Sequence, residues 1–134
     1  MNAQQEFESR MVKVRQAMRE KGLQTLLVFD SGRHNFLRMN YVAYLTDFIS
    51  VGPETMLMLP LEDEATLFLS PAWDMERARE ESWVRKIQPV NDLWNRLGNH
   101  IGKAGLIGRE AMNVDLHDEL VRTLNQTPLT PKIY

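Results

Sequence analysis

Residues 40–48 read NYVAYLTDF and lie between two apolar runs, at 25–29 and 55–60. The flanking runs have the length and composition of buried strands. Taken alone, the stretch between them is a polar and aromatic connection. It gains meaning from its position, because it follows an N-terminal helical pattern and precedes a predicted pair of strands.

The N-terminal segment has the periodicity of an amphipathic helix. Apolar residues recur there at steps of four, three and four: Phe7, Met11, Val14 and Met18. Gly22 suits the left-handed residue that ends many helices. The sequence therefore predicts a helix that stops near residue 22 and is followed by a buried strand at 26–29.

The second half of the chain alternates predicted strands and helices. Runs at 55–60 and 65–70 predict two strands joined by an acidic turn. The elements predicted after them are a helix from Ser70-Pro71 to about residue 82, a strand within 83–90, a helix capped by Asn91, a strand at 104–108 and a helix capped by Asp115. This order predicts an α/β three-layer sandwich with a mixed sheet flanked by helices. Residues 36–44 fit either a short helix or an irregular crossing.

Bulk properties narrow the class of protein. A chain of 134 residues fits one domain. The net charge is −2 with both signs interspersed, which argues against nucleic acid and membrane surfaces as partners. The chain has no cysteine, and its N-terminal stretch MNAQQE is polar in character, so we expect no disulfide, no signal peptide and a cytoplasmic location.

The titratable residues form no recognisable catalytic or metal-binding pattern. His34, His100 and His117 are far apart, and none lies at the i, i+4 spacing of a helical zinc site. Asp30 follows the first predicted strand, where a metal-dependent nuclease would need several converging acids. Asp30 stands alone in the sequence, so the sequence favours a solvated acid or a loop cap at this position.

Two further features have competing interpretations. Three glycines flank the predicted strand at 104–108 instead of leading from a strand into a helix, which favours turns and tight packing over phosphate binding: Gly102, Gly105 and Gly108. Trp73 falls in the first turn after Ser70-Pro71. It is a candidate contact residue, although core packing is the favoured interpretation.

In this order, residues 40–48 resemble the "Asn…Tyr-Leu-Thr-Gly-Phe" segment of the creatinase/prolidase/aminopeptidase P family. The opening helix, the strand pair and the sequence Ile-Gly-Arg-Glu at 107–110, similar to the family's "Ile-Gly-x-Glu", follow in the same order. Asp47 replaces the usual glycine. If that position requires a positive φ, aspartate is a tolerable substitute, because it visits left-handed space more readily than most residues.

The resemblance implies a non-catalytic N-terminal domain with ribonuclease-H-like topology and no nuclease activity. It implies no catalytic residue, metal ligand or cofactor in this chain. The parent protein would be a hydrolase of C–N bonds, of the Xaa-Pro peptidase or creatinase type, and the peptidases hold two divalent metal ions in a second domain. The implied partners are that C-terminal catalytic domain and a second subunit in a homodimer.

The resemblance also implies a site. In the family, the loop after the Tyr-Leu-Thr segment can approach the catalytic pocket, and by position this loop is 48–54. Phe48, Val51 and Glu54, with Trp73 nearby, are therefore the residues expected to face a substrate or a partner subunit.

Domain limits and an alternative function complete the expectations. We expect a domain at 1–128, with 129–134 starting a connection to an absent catalytic domain; an ordinary frayed terminus is the alternative. The alternative function is a stand-alone α/β binding or protein-interaction module that shares only the fold.

Overall fold

The computed structural model describes residues 3–31, 40–49, 52, 54–70, 72–97, 101–125 and 132–133. The helices are α1 (Ala3–Lys21), α2 (Tyr41–Thr46), α3 (Met75–Glu81), α4 (Asn91–Leu97) and α5 (Val114–Asn125). The strands are β1 (Thr25–Asp30), β2 (Glu54–Pro60), β3 (Thr66–Ser70), β4 (Lys86–Pro89), β5 (Ala104–Ile107) and β6 (Lys132–Ile133). Short 3-10 turns occupy Ala72–Asp74 and Arg109–Ala111.

The strands form one mixed sheet in the order β4-β3-β2-β1-β5-β6. The neighbours β1 and β2, and β2 and β3, run antiparallel. The other three neighbouring pairs run parallel. The predicted mixed sheet is confirmed. The short turn between β2 and β3 accounts for their antiparallel pairing, whereas the parallel pairs need crossovers that carry helices.

Two apolar cores lie on opposite faces of this sheet. One core packs α1, α2 and α3 against alternate residues of β1, β2 and β3, among them Val28, Leu57 and Leu67. The other packs α4 and α5 against the intervening residues, among them Leu27, Met56 and Phe68. Because both faces are covered, the central strands are apolar throughout instead of alternating with polar residues. The predicted three-layer α/β architecture is confirmed.

Helix α1 follows the predicted pattern. Phe7, Met11 and Met18 are buried. Gly22 ends the helix with φ of 71°, and the next amide, that of Leu23, donates to the Met18 carbonyl at 2.8 Å. This is the left-handed helix end that the glycine predicted. No helix within the described ranges combines the length and apolar character needed to cross a bilayer.

Gly108 is required by its surroundings. Its φ is 92°, and a Cβ placed on it would lie 2.0 Å from the carbonyl oxygen of Phe29. The 3-10 turn Arg109–Ala111 follows it, so the chain does not pass into the helix that a phosphate-binding loop requires. The interpretation of this glycine as a turn and packing residue is confirmed.

Several predicted element ends are corrected. Asn113, not Asp115, caps α5, because the Asn113 Oδ1 accepts from the Leu116 amide at 2.7 Å while Asp115 lies inside the helix. Ser70 is the last residue of β3, and the next helix begins with a 3-10 turn. The strand predicted within 83–90 is limited to β4.

Two ambiguous segments are now partly described. Of residues 36–44, the part from 41 onward belongs to α2, which extends to Thr46, and 36–39 lie outside the described residues. Near the C-terminus, β6 pairs with β5, with Lys132 opposite Gly105. The expected domain limit after residue 128 is not tested by this pairing and stays a prediction.

Candidate functional site

The candidate site starts where α2 ends and the chain turns. Asn40 caps the helix, and its side chain accepts from the Ala43 amide at 2.9 Å. Asp47 ends the helix in the left-handed region, with φ of 63°, and its amide donates to the Ala43 carbonyl at 2.8 Å. The Thr46 hydroxyl accepts from the Phe48 amide at 3.1 Å. The predicted tolerance of aspartate at a position with positive φ is confirmed.

Phe48 turns inward immediately after this helix end. Its ring is fully buried in the core on the α1–α3 side of the sheet. The guanidinium carbon of Arg77 lies 4.5 Å from the ring centroid, within range of a cation–π contact. Phe48 therefore does not present its ring to the surface, and the expectation of a direct contact with substrate or subunit is replaced by a supporting role beneath Arg77.

Arg77, on α3, connects the two segments of the site. Its Nε and Nη2 each donate to one carboxylate oxygen of Asp74 at 2.8 Å. Its Nη2 also donates to the Ile49 carbonyl at 2.9 Å, and its Nη1 donates to Glu81 at 2.9 Å. The hydrogen bonds to Asp74 raise the pKa of the Arg77 guanidinium, and partial burial opposes that rise. The guanidinium thus fixes the backbone at Ile49 to the beginning of α3.

Two large apolar side chains are exposed beside these anchored backbones. Trp73 precedes Asp74 and is 72% exposed, so the favoured interpretation of Trp73 as a core residue is wrong. Ile49 is also exposed. Tryptophan is one of the residue types enriched among the side chains that contribute most to the binding energy of protein interfaces.

The remaining predicted residues have different positions. Glu54 is the first residue of β2, half-buried, and pairs with Ser70 at the end of β3. It therefore lies at the edge of the sheet from which the chain continues to Trp73. Val51 lies outside the described residues, so its predicted role stays a prediction.

Sequence reasoning missed Arg77. The signal that could have found it is the spacing Asp74, Arg77, Glu81, which places two acids three and four residues from one arginine on a helix. The spacing alone does not distinguish Arg77 from other paired arginines, because the burial of Asp74 can be seen only in the structure.

A second arginine cluster contacts α2 itself. Arg10 on α1 donates to the Tyr44 carbonyl at 2.6 Å and to Glu6 at 2.5 Å. Its guanidinium carbon lies 4.2 Å from the Tyr44 ring centroid. Trp83 nearby donates from its indole to the Leu45 carbonyl at 2.9 Å. Arg10 therefore contacts α2 itself, whereas Arg77 contacts the residues that follow it.

An open groove of about 750 Å³ runs beside the second cluster. Phe7 and Trp83, whose rings stack with centroids 6.0 Å apart, line part of it. Its charged lining is mainly acidic, with Arg85 as the counter-charge: Glu8, Asp47, Glu64, Glu80 and Glu81.

Metal-binding residues do not converge in the part of the chain that the structure describes, where no three of its His, Asp and Glu side chains form a ligand set. His117 lies on α5 with its Nδ1 3.7 Å from the Asp118 carboxylate. His34 and His100 fall outside the described residues.

Comparison with known protein families identifies the family of this chain. The profile of the Creatinase/Prolidase N-terminal domain matches residues 10–134. The chain belongs to the creatinase/prolidase N-terminal domain family. The match includes residues 40–48 and the segment of Arg77, and the resemblance predicted from the sequence is confirmed. Among curated protein sequences, none matches this creatinase/prolidase-type domain.

Solved structures share the fold of this N-terminal domain. An Xaa-Pro aminopeptidase from Streptococcus pyogenes aligns with a TM-score of 0.72 at 16% identity, over 97% of this chain and 94% of that chain. The prolidase from Pyrococcus horikoshii OT3 aligns with a TM-score of 0.69 at 17% identity, over 93% of this chain and 32% of that chain. The X-Pro aminopeptidase from Thermotoga maritima MSB8 aligns with a TM-score of 0.69 at 15% identity, over 90% of this chain and 33% of that chain.

The extent of these alignments differs. The domain covers nearly all of the streptococcal chain but only about a third of the Pyrococcus horikoshii and Thermotoga chains. At identities this low, the alignments establish the shared fold. The fold corresponds to the N-terminal domain of prolidase-like and aminopeptidase P-like proteins.

Proposed function

We propose that this domain has no chemistry of its own and serves as the accessory domain of a hydrolase of C–N bonds, of the Xaa-Pro peptidase or creatinase type. In that protein it helps to cover the substrate pocket and to associate two subunits into a homodimer. The observation that carries the proposal is the family match over residues 10–134, together with the prolidase and X-Pro aminopeptidase chains of which the domain covers about a third.

The surface around Trp73 and Ile49 supports this role. Both side chains are exposed, while the backbones that carry them are joined through Arg77. A contact surface whose backbone is already ordered loses less conformational entropy on binding than a flexible one. Glu54 lies at the same end of the sheet, where it pairs with Ser70.

The chemistry of the complete protein belongs to a second domain in this proposal. Two divalent metal ions, if the parent is a peptidase, would be bound there, because the described residues of this domain offer no converging His, Asp and Glu ligands. What this domain contributes is the exclusion of water and the positioning of substrate. The lack of cysteine fits a reducing compartment, and we place the protein in the cytoplasm.

The experiment uses the complete gene product and matched surface variants. Trp73→Ala and Glu54→Ala are compared with Val114→Ala, because Val114 is 73% exposed and Trp73 is 72% exposed. Subunit association is measured by sedimentation equilibrium, and KM and kcat are measured on an Xaa-Pro dipeptide and on creatine.

We expect Trp73→Ala to raise KM or the dimer dissociation constant by roughly tenfold, as for a central aromatic contact residue. Val114→Ala should change neither. If both Trp73→Ala and Glu54→Ala leave affinity and association unchanged, the accessory role is rejected. A monomer that turns over neither substrate would favour the stand-alone binding module.

A further inference from the structure

The hydrogen-bond donors of Arg77 are shared between two separate segments. Toward α3 they reach both carboxylate oxygens of Asp74 and one of Glu81. Toward the residues after α2, the same Nη2 reaches the Ile49 carbonyl, and the guanidinium lies over Phe48. One planar group therefore sets the distance between the end of α2 and the beginning of α3.

Asp74 is committed to this arginine. It occupies the N-cap position of α3, where an aspartate commonly accepts from a backbone amide. Here the side chain makes no cap hydrogen bond, and both oxygens accept from Arg77. Asp74 is only 1% exposed, so its carboxylate holds the guanidinium from within the protein. A charge-assisted bidentate pair of this kind is directional as well as strong.

We propose that Arg77 is a positioning residue that fixes the backbone at 47–49 against the beginning of α3, and thereby sets the relative position of the exposed Ile49 and Trp73 side chains. The link to a partner rests on the proposed function, because that function is what brings a second surface to these side chains. The positioning itself does not depend on it.

Lysine cannot reproduce this arrangement. An ammonium group is a compact charge without the planar fork that grips Asp74 at two oxygens. It also cannot lie flat on Phe48 while bonding to Asp74 and Ile49. Arg77→Lys therefore retains the charge but loses the geometry, which separates positioning from simple charge neutralisation of Asp74.

The test measures amide hydrogen exchange of the 134-residue chain by NMR. The variants are Arg77→Gln and Arg77→Lys, and the matched control is Arg10→Gln, because Arg10 also pairs with an acid and binds a backbone carbonyl. In Arg77→Gln we expect the Asp47 and Phe48 amides to exchange at least about tenfold faster. Arg77→Lys, which also serves if the glutamine variant does not fold, should accelerate them by about threefold. The amides of β2 should change by less than about twofold in both.

The results separate this role from the proposed function. Local acceleration at Asp47 and Phe48, with a raised KM or weakened association of the complete Arg77→Lys protein at unchanged kcat, supports both. Local acceleration with unchanged KM and association supports the positioning role and rejects the proposed function. Unchanged exchange at Asp47 and Phe48, equal acceleration in β2, or an equal effect of Arg10→Gln overturns the positioning role.

Discussion

The Arg77 and Arg10 clusters make the same kinds of contact, but they should contribute differently to stability. Each arginine pairs with an acid on its own or the adjoining helix, lies over an aromatic ring and donates to a carbonyl in or after α2. The arginine side chains are similarly accessible, at 33% for Arg77 and 23% for Arg10. The difference lies in their acids, since Asp74 is 1% exposed and Glu6 is 54% exposed.

The comparison shows that the number of contacts does not set the strength of an ion pair. An exposed carboxylate such as Glu6 exchanges water for arginine at almost no net gain. A buried carboxylate such as Asp74 has already lost its water, so the loss of its arginine would leave an uncompensated charge. The Arg77 cluster should therefore order its segment, whereas the Arg10 cluster should mainly cover the surface of α2.

The aromatic residues under the two arginines provide the largest contrast. Phe48 is fully buried and Tyr44 is 47% exposed. Phe48→Ala should lower the free energy of unfolding by about 3–5 kcal/mol, because it removes a packed ring and leaves a cavity. Tyr44→Ala should lower it by less than about 1 kcal/mol. Urea denaturation of both variants checks the prediction, and similar losses for the two variants would show that burial of the ring does not set its contribution.

The acidic partners should differ in the same direction. Asp74→Ala should destabilise the chain by about 2–3 kcal/mol, because it removes the bidentate hydrogen bonds to Arg77 and truncates a buried side chain. Glu6→Ala should cost less than about 1 kcal/mol. Thermal and urea unfolding measure both losses. A loss for Glu6→Ala as large as that for Asp74→Ala would contradict the account.

Asp47 lies between the two carbonyls that the arginines bind, and it tests the backbone itself. Asp47 has a φ of 63°, which glycine adopts without a Cβ penalty. Asp47→Gly should therefore leave the free energy of unfolding unchanged within about 0.5 kcal/mol. Asp47→Ala should cost about 1 kcal/mol. Denaturant unfolding of the pair is the measurement, and equal stability of the two variants would refute the strain.

Salt should produce the smallest effect. Between about 0.1 M and about 1 M NaCl the screening length falls from about 10 Å to about 3 Å. The coupling of Glu6 with Arg10 in a double-mutant cycle should fall toward zero, whereas that of Asp74 with Arg77 should persist.

A change of pH cannot replace salt as a test of Arg77. Its pKa is raised, so its contribution to the free energy of unfolding is present below the ordinary arginine pKa and is lost only in strong alkali.

Much of the fold could be predicted because local and tertiary preferences agree. The apolar spacing of α1 and the apolar runs of β1, β2 and β3 correspond to the helix face and strands observed. Gly22 adopts the positive φ that its position predicted. The error at the start of α5 arose because Asn113 and Asp115 are both good capping residues, and only the geometry selects Asn113.

The candidate site was harder to predict. The resemblance implies similar roles for Phe48 and Trp73, yet Phe48 is buried and Trp73 is exposed. Periodicity cannot assign a side chain in a short connection, because such a segment has no repeating face. Arg77 could not be singled out from the sequence, because an aspartate and an arginine three residues apart are common on solvent-exposed helix surfaces. Only the structure shows that Asp74 is buried.

The most direct test of the accessory role is photocrosslinking in the complete gene product. A photoreactive phenylalanine is placed at position 73 and, as the control, at the equally exposed position 114. We predict a crosslink from position 73 to a second subunit or to another domain of the same chain, identified by mass spectrometry, and none from position 114. The absence of a crosslink from position 73, or equal crosslinking from both positions, would contradict the account.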